Sequence, residues 1–367
     1  MNKLVAFHIA DFPRSRDLPL GQQWFMDYGN EFIVAARYAL ETGASRQLSR
    51  RYENGELVRV RRGIYTDKQH WLALKPWERY RATARAVAAE NPSVDFCYET
   101  AALFWGLQIV GVPSHIHLAN ASRGHAGARS PSTIAAALKP SGTNGLERIR
   151  AYGIYRHHYN TVTVFHRGLQ LTNLVQTAVD VISRGSFSHG VVLADHVISA
   201  SRFKKLFTSK EALEKAAGNL SSEAKRQRVS HILEFANQNS GSAGESLSRA
   251  QMLLPGFPPP ELQIEFYDTE GFIGRTDFFW REQGIIGEFD GDAKYLRDEY
   301  LGGQSAREAV LAEKKREDRL RALGFTIVRW DWATAKDPAK LYAKLLAKGL
   351  APTRNTHLRT IHPRARG

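Results

Sequence analysis

One cysteine, Cys97, stands in a chain of 367 residues. With no second thiol, no intrachain disulfide forms, and a cysteine-rich zinc site is excluded. Long apolar runs are missing as well. Nothing approaches the roughly 18 consecutive apolar residues that a membrane span requires. The opening residues 1–13, MNKLVAFHIADFP, are too polar and too short in apolar character for a secretion signal. These absences predict a cytoplasmic protein with no membrane partner. Acid is the third deficit: 37 Asp and Glu face 51 Lys and Arg, a formal net charge of +14. That balance favours a polyanionic partner, DNA first and RNA as an alternative. The length suggests two or three domains of roughly 100–200 residues each.

What is present centres on residues 271–294. Two apolar runs, 271–280 and 285–294, flank a short polar turn containing Gly284, the pattern of a β-hairpin. Asp277 lies in the first run. Glu288 and Asp290, two apart, share one face of the second, and Lys294 follows. Carboxylates on apolar strands cost several kcal/mol each when buried, unless paired or bound to metal. Metal-assisted phosphodiester hydrolysis wants such a set. Mg²⁺, or Mn²⁺ in its place, takes one or two protein carboxylates, and a lysine orients the attacking water or contacts the phosphate.

At these residues, over 241–335, the chain resembles the PD-(D/E)XK nuclease superfamily in its Vsr-like branch. The resemblance implies a restriction-endonuclease-like αβββαβ core. Residues 242–249 resemble its first helix, with Glu245 at the acidic position. Asp277 matches the motif aspartate and Glu288 the (D/E) position. Residues 313–324 and 325–330 resemble the closing helix and strand. The motif lysine belongs two residues after Glu288, where Asp290 stands; Lys294 is the migrated lysine this implies. The catalytic set implied is Asp277, Glu288, Asp290, Lys294 and Glu245, with Asp277, Glu288 and Asp290 on the metal.

Nearer the start, residues 31–40 carry helical spacing, and 44–55 read as a second helix stopped at Gly55. Residues 57–65 alternate apolar and basic residues around a turn at Arg62-Gly63, as a strand pair does. Helix, helix and basic hairpin is the layout of a winged helix-turn-helix. Arg46, Arg50 and Arg51 are then set for the major groove, and Arg59, Arg61 and Arg62 for phosphates. The stretch 55–65, GELVRVRRGIY, resembles the wing of AbiEi-type antitoxins, which implies a small α/β middle domain and, in a toxin–antitoxin setting, a partner toxin.

The remaining expectations are coarser. Residues 77–90 read as a helix ended at Asn91-Pro92, and 96–106 as a strand entering a helix. His115, His117, His157 and His158 read as core, loop or strand-surface histidines rather than ligands. Residues 171–180 read as a helix capped at Thr172. Glu313 and Glu317 read as a solvated, salt-bridged helix face. Lys204, Lys205, Lys225, Arg226 and Arg228 make 201–240 basic, and 351–367 read as a basic tail. The domain plan is 1–75 extension and winged helix, 76–240 middle α/β domain, 241–350 nuclease-like domain, 351–367 tail. The fold class is multidomain α/β. The function expected is a DNA-binding, metal-dependent endonuclease, possible also in a defence setting; the alternative is a non-enzymatic DNA-binding regulator or antitoxin with a degenerate nuclease fold.

Overall fold

A computed structural model describes residues 32–35, 44–129, 152–158, 161–199, 208–291 and 306–353. The extension 1–31, Lys204, Lys205, Lys294 and residues 354–367 of the tail lie outside the described residues. Those described form a mixed α/β protein with three sheets and twelve α-helices. None of these helices is long and apolar enough to cross a membrane. The chain divides into two compact units: 1–100 with 112–172, and 101–111 with 173–367.

The first unit opens with β1 (Ile33–Val34), α1 (Ala44–Glu53), β2 (Leu57–Arg61) and β3 (Ile64–Asp67). The sheet order is β1-β3-β2, all antiparallel. Ile33 and Val34 were expected in a helix; instead they pair with Tyr65 and Ile64. Two adjacent β-branched residues suit an edge strand better than a helix turn. Val58, Val60 and Ile64 pack on Trp71 of α2 (Lys68–Ala73) and on Ala82 and Ala86 of α3 (Pro76–Glu90). Proline in the first turn of α3 costs no hydrogen bond, and Glu78 accepts the Lys75 N–H at 2.6 Å. Next come β4 (Asp95–Phe96) and α4 (Tyr98–Trp105), which crosses into the second unit after Thr100. Then β5 (His115–Asn120), β6 (Gly127–Arg129), β7 (Gly153–His158), β8 (Thr163–His166) and β9 (Leu169–Thr172) build a six-stranded mixed sheet, order β6-β7-β5-β4-β9-β8.

The second unit begins its helices at α5 (Leu174–Ile182). Its N-cap is Asn173, whose side chain accepts the Gln176 N–H, rather than Thr172, which closes β9. Asparagine is the stronger cap, and Thr172 is committed to the sheet. Following α6 (Phe187–Ile198), α7 (Lys210–Ala217) and α8 (Glu223–Phe235), α9 (Ala243–Leu253) packs against α6. That contact holds a closed ion pair: Arg249 Nη2 donates to both Asp195 oxygens at 2.9 Å. Asn237 N–H donates to the same carboxylate, and Arg249 Nη1 caps the Phe235 carbonyl.

The rest of this unit is a four-stranded sheet of β10 (Glu261–Asp268), β11 (Gly271–Trp280), β12 (Ile285–Phe289) and β13 (Thr326–Trp330) in that spatial order. The first two pairings are antiparallel; β12 and β13 are parallel, joined through α10 (Ala306–Ala322). The turn between β11 and β12 uses Gly284 at φ +61°. Because strand residues alternate faces, Phe278, Trp280, Ile285, Val328 and Trp330 pack on α9 and on α12 (Pro338–Leu346), which follows the short α11 (Trp332–Ala335). Phe279, Ile286 and Ile327 face the other way and meet Leu320 of α10. The candidate site lies on this second face.

Candidate active site

Register places the polar residues before any chemistry is invoked. Leu262 pairs with Phe278 and Ile264 with Thr276, so Gln263 stands opposite Asp277. Phe278 pairs with Gly287, so the next rung sets Asp277 against Glu288. Glu288 in turn pairs with Arg329. One polar row, Gln263, Asp277, Glu288, Arg329, therefore crosses all four strands of the sheet. It shares the face of Ile286 and Phe279, toward α10.

Each member is held. Asp277 Oδ2 accepts the Phe289 N–H at 2.8 Å, and its Oδ1 accepts from the Gln263 amide at 3.3 Å. The same Gln263 nitrogen donates to Glu245 Oε2 at 2.9 Å. Gln263 adopts φ +56°, a left-handed backbone that costs about 1–3 kcal/mol outside glycine and is commonest at functional sites. Glu245 lies in the first turn of α9, where it also accepts from Gly241 N–H and Ser242 Oγ, while Ser242 caps its N–H. A Cβ on Gly244 would lie 2.0 Å from the Phe289 ring, so only glycine lets this helix end approach β12 so closely.

From α10 come Glu313, Arg316 and Glu317, one or two turns before Leu320 and on the same side. Arg316 Nη2 donates to Glu288 Oε1 at 3.0 Å, and its Nε and Nη2 both reach Glu313, also at 3.0 Å. Arg329 grips Asp290 through Nε and Nη2, and its Nη1 meets Glu313 and Glu317. Glu313, with its side chain 40% exposed, keeps the salt-bridged helix face expected of it, and its second guanidinium comes from another element, β13. Lys314 is exposed.

Burial, with Asp277 alongside, pushes the Glu288 carboxyl up to about 7, against the pull of Arg316. Burial raises Asp277 too, opposed by Phe289 N–H, Gln263 and Arg316 and reinforced by Asp290. For Glu313 burial also acts upward, but Arg316 and Arg329 outweigh it and hold the carboxyl below its usual range. Two carboxylates opposed across a ladder, one of which keeps its proton to near neutrality, form a site short of positive charge.

The structure therefore brings Glu245, Asp277, Glu288 and Asp290 to one end of the four-stranded sheet; Lys294 lies outside the described residues. Gln263, Arg316 and Arg329 were not picked out from the sequence. A signal existed for Arg329, a lone charge inside the apolar run Thr326–Trp330. Among the described residues, no three His, Cys, Asp or Glu side chains form a ready metal cage.

The basic candidates sit on α1, on β2 and, for Arg62, in the turn that follows β2. Arg46, Arg50, Arg59 and Arg62 are exposed, and Arg59 lies over the Tyr52 ring at 5.6 Å. Arg51 pairs with Glu56 at 3.2 Å and Arg61 with Glu90 at 2.7 Å. Among the histidines, His158 is exposed, whereas His157, expected on a strand surface, is buried. Its Nε2 is 2.8 Å from His117 Nδ1, and His117 Nε2 is 3.4 Å from Glu99. Register explains this: β5 and β7 run parallel with His157 beside Ala119, which puts the two imidazoles on one face.

No protein-family profile matches the chain. Two Mycobacterium tuberculosis proteins, "Uncharacterized protein MT2308" and "Uncharacterized protein Rv2248", are each 34% identical over 97 residues, 26% of this chain. The chain spans 32% of the length of these curated relatives. Among solved structures, that of the Mycobacterium tuberculosis protein RV2827C aligns with 66% of this chain and 85% of its own, at 15% identity and a TM-score of 0.33.

Proposed function

We propose that the chain is a nucleic-acid-directed, divalent-metal-dependent endonuclease acting on duplex DNA. The observation that carries this reading is the polar row through Asp277 and Glu288. The residues fit a divalent ion: Mg²⁺ takes one or two protein carboxylates, and burial, reinforced by Asp277, pushes the Glu288 carboxyl up to about 7, a cost that a bound cation would offset. Asp277 and Glu288 would hold the ion, which when bound acidifies a water and offsets phosphate charge. Phe289 N–H and Gln263 fix the Asp277 carboxylate in place, so it needs no rearrangement to bind. Glu245 acts one step back, anchoring Gln263. The order α9-β10-β11-β12-α10-β13 supports a restriction-endonuclease-like αβββαβ core. The arrangement of α1, β2 and β3, with exposed Arg46, Arg50, Arg59 and Arg62, supports a winged helix that docks DNA.

The test is cleavage of plasmid, linear duplex, single-stranded DNA and RNA with Mg²⁺, Mn²⁺ or EDTA, with Asp277→Ala in parallel. Metal-dependent cutting by the wild type that vanishes in the variant is expected; cutting retained by Asp277→Ala sinks the assignment. A second reading, a DNA-binding regulator of antitoxin type, is favoured by Asp290, an acid at the motif lysine's position that is already engaged by Arg329. Sequence-selective duplex binding with no cutting under any metal would establish that reading instead.

A further inference from the structure

We infer that Arg316 is the cation that receives the scissile phosphate in this site, and that Asp290, Arg329 and Glu313 form a brace that positions it. This rests on the metal-dependent nuclease reading. A phosphodiester entering beside Asp277 and Glu288 meets like charge, so the site needs a fixed positive group. Asp290 stands where the resemblance calls for a lysine, and the described residues offer a guanidinium instead.

Three features single out Arg316. Its stem lies in a slot in β11: a Cβ on Gly274 would come within 3.0 Å of Arg316 Cδ, so a side chain there would press the arginine out of position. Its head is fixed by three hydrogen bonds, Nε to Glu313 and Nη2 to both Glu313 and Glu288. Those bonds leave Nη1 without a hydrogen bond among the described residues, on a side chain 20% exposed. Nη1 lies beside Gly274, where no side chain covers it, and a guanidinium gripped on one edge with donors left on Nη1 suits a phosphate oxygen, for which arginine's planar fork is well matched.

The brace follows from the same contacts. Charges alternate along one chain: Asp290, Arg329, Glu313, Arg316, Glu288. Asp290 orients Arg329, Arg329 holds Glu313, and Glu313 holds Arg316 against Glu288. Asp290 is on this account a positioning residue, and the lysine-to-acid change is one half of a device whose other half is Arg316. Arg316 also competes with a metal ion for Glu288, so its two effects are opposite in sign: it weakens metal binding and speeds cleavage.

The experiment uses the full chain as wild type, Arg316→Ala, Arg316→Lys, Asp290→Asn and, as control on the nuclease reading, Glu288→Gln. Two quantities are measured: cleavage rate over a range of nucleic-acid concentrations up to saturation, and Mn²⁺ affinity by electron paramagnetic resonance with no nucleic acid present. Arg316→Ala is expected to cut at least about 100-fold more slowly, with KM changed by less than about threefold. Its Mn²⁺ affinity is expected to rise by about threefold or more, because the guanidinium no longer repels the ion. Arg316→Lys restores part of the rate, since charge returns without the fork. Asp290→Asn is expected to lose about tenfold in rate at unchanged KM. A misfolded variant would lose metal binding along with cleavage, so loss of both in Arg316→Ala and Arg316→Lys assigns Arg316 a structural role and overturns the inference. Arg316→Ala cutting at the wild-type rate, beside an inert Glu288→Gln, also overturns it while the nuclease reading stands. A wild type that cuts none of the substrates removes both.

Discussion

Two ionic clusters in the second unit, one buried and one partly exposed, use the same residue types to different ends. Between α6 and α9, Arg249 and Asp195 are matched one to one, with side-chain exposures of 8% and 1%. Burial raises the Asp195 carboxyl, and Arg249, Asn237 N–H and Ser246 pull it back. On the sheet, Arg316 and Arg329 serve Glu288, Asp290, Glu313 and Glu317, and Asp277 hydrogen-bonds only to neutral donors among the described residues. A closed pair of equal charge fastens two helices. A cluster with spare negative charge is costly to keep, and on the proposed reading a bound cation and phosphate would offset that cost.

Breaking each cluster is expected to move stability in opposite directions. Arg249→Ala leaves Asp195 buried without its partner and is expected to lower unfolding free energy by about 3–5 kcal/mol in urea titrations. Asp277→Asn removes one of two opposed carboxylates and is expected to be neutral, or to stabilise by up to about 1 kcal/mol at pH 8. Equal losses from both would erase the distinction.

Proton linkage sharpens the contrast. A carboxyl whose folded pKa exceeds its unfolded value keeps its proton longer in the folded chain. Stability due to Glu288 is therefore full below about 4.5 and lost as pH rises through about 7. The loss is on the order of 3 kcal/mol. Melts between pH 4.5 and 8 should show a decline in the wild type that is flatter in Glu288→Gln. Identical slopes would mean that Glu288 titrates normally.

Smaller effects test the surroundings. Gly244→Ala drives a methyl into Phe289 and is expected to cost about 1–3 kcal/mol. On the proposed DNA-binding reading, the exposed arginines of α1, of β2 and of the turn after it act through phosphate charge. Each of Arg59→Ala and Arg62→Ala is expected to weaken binding evenly across duplex sequences and to reduce the salt slope by about 1. An effect confined to one sequence would place them at base edges instead.

Much of this was legible in the sequence where one signal sufficed. Alternation and Gly63 marked β2 and β3, and Gly284 between apolar runs marked β11 and β12. Periodicity marked α3, and the family resemblance marked α10. Asp277 and Glu288 stood out as acids in apolar strands. What escaped was set by pairing across distance. Ile33 and Val34 carry a helical spacing that a two-residue rung on β3 overrides. Arg316 looked like any charge on a solvated helix, because nothing local tells that β11 leaves a slot at Gly274. Gln263 gave no sign of its left-handed backbone, which arises only from the row it completes. His157 was read as surface because its partner His117 lies 40 positions away.

The parallel pairing of β12 with β13 also sets an order in time. Arg329 lies 39 positions after Asp290, its ion-pair partner. At about 5–20 residues per second, a ribosome needs roughly 2–8 s to cover that distance. During that interval Asp277, Glu288 and Asp290 have been made, but the strand that supplies the last guanidinium has not. The row cannot close until its last strand has been made, well after the basic α1 and β2 have been synthesised.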